Sequence, residues 1–179
     1  MQVIYDSSDM TDLALAERLL LSALLGGLLG LEREWRQKSA GLRTNILIAM
    51  GSTLFTMMSI DVSAGSGGDS TRIASGIVTG IGFLGAGAIM RTGAGVKGLT
   101  TAAMIWVNAA VGVAVGGGEY RLAVIATGVA LAVLIALDPV EKLIDRLLPR
   151  RRREADFIAD GPSEEREADP ARERRDGRP

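Results

Sequence analysis

The chain has 179 residues, 47% of them hydrophobic, with 23 glycines, few aromatic residues and a formal net charge of −1. It contains no cysteine and no histidine, which excludes disulfides, thiolate and imidazole metal sites, cysteine nucleophiles and Ser/His triads. Leu/Ala/Gly richness without an aromatic core suits membrane helices better than a soluble domain, and the small net charge conceals a segregation, with 18 of the 41 charges between Arg150 and Pro179.

The first 17 residues hold no Lys or Arg, so they lack the basic region of a signal peptide and read as mature protein. A bilayer core about 30 Å thick needs roughly 17 to 25 apolar helical residues, and the first such run is Leu13 to Leu31. Glu17 and Arg18 interrupt it and are its costliest residues, since charge in hydrocarbon must pair or reach the interface. Next comes "EREWRQK", in which Glu32/Arg36 and Glu34/Lys38 have i,i+4 spacing and Trp35 can anchor at headgroup level. Those residues suit a helix extension, and equally an ionisable rim of Glu32 and Glu34 that meets an ion or partner.

The second run is Thr44 to Ile60, followed by two acids, Asp61 and Asp69. Asp69 has the place of an N-cap before Arg72 and the third run, Ile73 to Met90. Within that run "GIGFLG" fits G-x-G-x-x-G, but no strand precedes it and no acid follows at ribose-binding distance, so dinucleotide binding is excluded. In "GAGVKGLT", Lys97 follows Val96 rather than Gly, so Walker A spacing is absent too. The glycines instead favour close helix packing: Gly26 and Gly30 in the first run and Gly76 and Gly80 in the third are GxxxG pairs. Bent helices whose freed carbonyls coordinate ions are the second use of such glycines. Arg91 suits the C-terminal end of the third helix through the helix dipole.

The fourth run, Gly98 to Gly118, carries Thr100, Thr101 and, ten residues in and so near the midplane, Asn108. A buried amide there must find a partner, and interhelical bonding is preferred to a ligand role. The fifth run, Leu122 to Leu137, is short. Asp138 and Pro139 then suit the start of a new helix, whose Val140, Leu143, Ile144, Leu147 and Leu148 make an amphipathic face ahead of the basic Arg150 to Arg153. From Glu154 on, nine acids alternate with five bases among Gly and Pro, a composition that predicts disorder.

The fold expected is therefore all-α, a polytopic membrane helical bundle of about five transmembrane helices. Residues 1–137 form the membrane domain, 138–153 an amphipathic juxtamembrane helix with a basic end, and 154–179 a disordered charged tail. Basic residues concentrate in the first connection, the third and the C-terminal segment, while the other side holds Arg72 and Arg121. Since basic loops stay in the cytoplasm, the N-terminus is expected outside and the C-terminus inside.

Together, "GLLGLEREWRQKSAGLRTNILIAMGSTLF", "DSTRIASGIVTGIGFLGAGAIMRTGAGVKGLTTAAMIW" and "AAVGVAVGGG" resemble the MgtC/SapB family of bacterial membrane proteins over Leu13 to Leu137. The resemblance implies a multi-pass inner-membrane protein tied to survival under magnesium limitation, with some members acting on the proton-translocating ATP synthase. It carries the family's charged patch onto Glu32, Arg33, Glu34 and Arg43, and also matches Asp69, Arg72, Arg91 and Thr100 to Trp106. Asn45 stands where many members have His, and nothing after residue 137 matches the folded cytoplasmic domain of longer members. With Lys97, Thr101 and Asn108, these are the candidate functional positions; no catalytic residue and no cofactor are expected, and any metal ligand stays unassigned.

Two functions compete. The leading one is a non-enzymatic regulator that binds other membrane proteins, or further copies of itself, through Gly/Ala faces and a charged rim, in contact with lipid and not nucleic acid. The other is a cation transporter or channel, resting on Asn108, the threonines and the breakable glycine helices.

Overall fold

The computed structural model describes residues 12–66, 71–92 and 95–147. Asp69, Arg150 to Arg153 and the expected tail lie outside the described residues. Five helices and a small hairpin follow in order: α1 (Asp12–Trp35), α2 (Leu42–Ser66), α3 (Thr71–Ala88), β1 (Met90–Thr92), β2 (Gly95–Lys97), α4 (Leu99–Gly116) and α5 (Tyr120–Leu147).

The chain is a polytopic all-α bundle. α1, α2, α4 and the Tyr120–Leu137 part of α5 are each long and apolar enough to cross a membrane. α3 has 18 residues (Thr71–Ala88), about 27 Å at 1.5 Å per residue, and its Ala74–Ala88 stretch is apolar. The five helices match the bundle of about five transmembrane helices expected, four of them long apolar spans. Large apolar side chains such as Leu20, Phe83, Ile125 and Val129 face outward, as lipid contact requires.

Three boundaries depart from expectation. α1 stops at Trp35 because Gln37 takes a left-handed conformation (φ 53°), with its N–H bonded to the Glu34 carbonyl and the Lys38 N–H to that of Arg33, a Schellman closure. Lys38 therefore leaves the helix, and the Glu34/Lys38 pair does not form as an i,i+4 contact. α3 stops at Ala88, and the chain turns into an antiparallel hairpin with Met90 opposite Lys97 and Arg91 opposite Val96. Arg91 is thus a strand residue rather than the last turn of a helix. Gly98 closes this turn at φ 90°, where a Cβ would strike the Ala88 carbonyl oxygen. Lastly, α5 passes through Pro139 without a break, so no separate helix starts there.

α4 is the hub, touching every other helix. Half of its spanning segment is buried, against 11% for α5. Leu25, Val111, Val115 and Ala123 form a core among α1, α4 and α5, and Ile77, Ile81, Ile105 and Ala109 another between α3 and α4.

Candidate functional site

The tightest packing is among α1, α2 and α4, where small residues let backbones approach. A Cβ at Gly26 would sit 2.7 Å from both the Ala49 Cβ and the Asn45 carbonyl oxygen, and one at Gly30 would sit 2.8 Å from the Leu42 Cα. The first GxxxG pair therefore packs α1 onto α2. On α4, Gly112 leaves room for the Ala49 carbonyl and Ser52, and Gly116 for Thr53 and Thr56. These two glycines form a GxxxG pair that sequence reasoning passed over.

Polar side chains line this seam from end to end. At the end where α1 finishes, Glu32 pairs with Arg36 at 2.7 Å. The adjacent Arg33, 4% exposed, donates from Nη2 to Thr101 Oγ1 at 2.9 Å and so ties α1 to α4. Glu34 accepts the Leu42 N–H at 3.2 Å, placing a carboxylate at the positive end of α2.

One turn inward, Asn108 of α4 donates from Nδ2 to the carbonyl oxygen of Asn45 at 2.7 Å and to its Oδ1 at 3.1 Å. Asn45 Nδ2 donates in turn to the carbonyls of Ala40 and Gly41. Both asparagines are fully buried, and an amide in such surroundings bonds across helices rather than stay unpaired. Further along, Ser52, Thr53, Thr56 and Ser59 share the buried face of α2, with Thr53 Oγ1 donating to the Gly112 carbonyl at 2.8 Å. At the far end Arg18, 3% exposed, donates to the Gly116 carbonyl at 2.9 Å and lies over the Tyr120 ring at 5.9 Å from its centre. That placement answers the expense of a cation inside the first span, since the carbonyl end of α4 carries partial negative charge.

Not every valence is filled. Glu32 Oε2, Arg33 Nε and Asn108 Oδ1 are buried and have no hydrogen-bond partner. A group left so costs about 1–3 kcal/mol, more for a charged one.

The structure gathers Glu32, Arg33, Glu34, Asn45, Thr101 and Asn108 at one end of the seam. It leaves the others apart: Arg43, Arg72, Arg91, Lys97 and Thr100 are exposed, and Asp69 lies outside the described residues. Among the described residues the ion pair of Glu32 is with Arg36, not Arg91. Sequence reasoning missed the polar face of α2 and gave Arg18 no role. Asn45, Ala49, Ser52, Thr53, Thr56 and Ser59 recur every three or four residues along a charge-free run, a periodicity that marks a helix face. Thr79, by contrast, bonds back to the Ser75 carbonyl at 3.0 Å within its own helix. Among the described residues no group of three or more Asp or Glu side chains is placed to hold a metal ion.

A family model described as the MgtC family matches residues 19–143. The chain is 49% identical over 129 residues to Protein MgtC of Salmonella typhimurium, covering 72% of this chain and 54% of the relative. Over 128 residues it is 48% identical to Protein MgtC of Brucella abortus, covering 72% and 53%. An uncharacterized protein of Synechocystis sp. is 46% identical over 128 residues, covering 72% and 54%. The chain spans about half the length of the curated relatives it matches. No solved structure matches it.

Proposed function

The chain belongs to the MgtC family, and from that premise we propose that it is a non-enzymatic regulator in the bacterial inner membrane. It adapts the cell to magnesium limitation by binding other membrane proteins, the proton-translocating ATP synthase among them. The observation that supports a regulator over a conduit is the Asn45–Asn108 contact. The Asn108 amide, the group suited to a passing ion, is held by a neighbouring helix, and Gly26 presses against the same knot with 3.3 Å between its missing Cβ and Asn108 Oδ1. A seam closed by backbone contact gives a rigid body that presents fixed outer faces. The distribution of Lys and Arg supports the N-terminus outside and the α1–α2 connection in the cytoplasm.

Transport of magnesium or another cation is the second reading, favoured by a polar seam that runs from Arg33 to Arg18 and holds the unpartnered Glu32 Oε2 and Asn108 Oδ1. Magnesium flux into liposomes bearing purified, folded protein separates the two. The regulator reading expects flux no greater than in protein-free liposomes. Flux that disappears in Asn108→Leu would replace it with transport through the seam. Crosslinking in bacterial membranes completes the test: the regulator must recover a membrane protein other than itself.

A further inference from the structure

Between α2 and α3 lies an open groove of about 1210 Å³, larger than the roughly 300–1,000 Å³ of small-molecule pockets. Its floor is glycine. A Cβ added at Gly51, Gly76, Gly80 or Gly87 would meet nothing within 4 Å among the described residues, so the stripe that reads in sequence as a packing surface packs against no other described helix. From Arg72 to Ala88, both in its wall, the groove follows α3 for about 24 Å at 1.5 Å per residue, most of the hydrocarbon thickness.

Apart from Ser52, the walls are apolar except at the ends. Where α2 begins, the groove is lined by Arg43 and Thr44, both exposed. Their amides belong to the first turn of the helix, whose N–H groups have no acceptor within it and whose dipole favours an anion. Glu34 competes there, but its carboxylate is engaged by the Leu42 N–H. The hairpin that follows Ala88 adds two exposed cations, Arg91 and Lys97, at the same end. The opposite end is lined by Arg72.

We propose that this groove holds a phospholipid with an anionic headgroup, its phosphate at Arg43 and the start of α2 and its acyl chain along the glycine floor. Charge decides between this occupant and a second copy of the chain. A two-fold axis along the membrane normal would face α3 with α3 and bring Arg72 towards Arg72, like charges that repel, whereas an anionic lipid meets the cations with opposite sign.

The test is native mass spectrometry of the full chain in detergent, titrated with phosphatidylglycerol and with phosphatidylcholine of the same acyl chains. Phosphatidylglycerol should bind about fivefold more tightly, the fold-change that corresponds to about 1 kcal/mol for one basic residue at the headgroup. Arg43→Gln should erase that preference, Arg43→Lys should keep it, and Gly80→Leu, which fills the groove, should weaken both lipids. Thermal melts identify any variant that fails to fold, and Gly76→Leu then takes the place of Gly80→Leu. Equal binding of the two lipids by the unaltered chain overturns the proposal, as does a preference that survives both Arg43→Gln and Gly80→Leu. Loss of a dimer in Gly80→Leu with lipid binding unchanged also overturns it, and assigns the groove to a second copy.

Discussion

The α1–α2–α4 seam and the α2–α3 groove are both built on glycines at four-residue spacing, yet one is closed and the other open. In the seam, Gly26, Gly30, Gly112 and Gly116 each stand where a methyl group would strike a neighbouring backbone or Cβ. In the groove, Gly76 and Gly80 meet no neighbour within 4 Å among the described residues. The difference lies in what each stripe meets. The seam glycines oppose the small residues Ala49, Ser52 and Thr53 of α2, while the groove is walled by Leu47, Phe55, Phe83 and Leu84, side chains too long to let two backbones touch. A GxxxG pair marks a place where helices can approach; the opposing helix decides whether they do.

One substitution made in both regions gives the sharpest separation. Gly112→Ala places a methyl group against the Ala49 carbonyl and Ser52, and overpacking against backbone should cost about 2–3 kcal/mol, read as lost resistance to unfolding when SDS is titrated into detergent micelles. Asn108→Ala removes two interhelical bonds and should cost about 1–2 kcal/mol in the same assay, near the upper end for such bonds in membranes. Gly76→Ala should have the opposite sign, a gain of about 0.5–1 kcal/mol, because the helix gains propensity and nothing is displaced. Equal losses at Gly112 and Gly76 would collapse the contrast and mean that the groove is packed in the folded protein.

Spans were legible because length and hydropathy alone fix them, and the runs from Leu13, Thr44 and Gly98 fall within two residues of the starts of α1, α2 and α4. Ends were less so. The stop at Trp35 depends on the left-handed Gln37, a conformation that glutamine does not announce, and the stop at Ala88 depends on a hairpin of only three residues a side. At Pro139 the local rule favours a helix start, and the continuous α5 overrides it. Of the candidate site, the patch from Glu32 to Glu34 and the need of Asn108 for a partner could be read in advance. Their actual partners could not: Arg33 meets Thr101 across 68 residues and Asn108 meets Asn45 across 63, and nothing local selects one threonine or asparagine over another.

The contact between Arg18 and the Gly116 carbonyl joins residues 98 positions apart, and its consequence is one of timing. A chain made at about 5–20 residues per second delivers α1 to the membrane roughly 5 to 20 s before the carbonyl that will receive its guanidinium exists. Through that interval the α1–α4 contact at this end has only one of its two halves, so biogenesis closes this part of the seam only when α4 arrives.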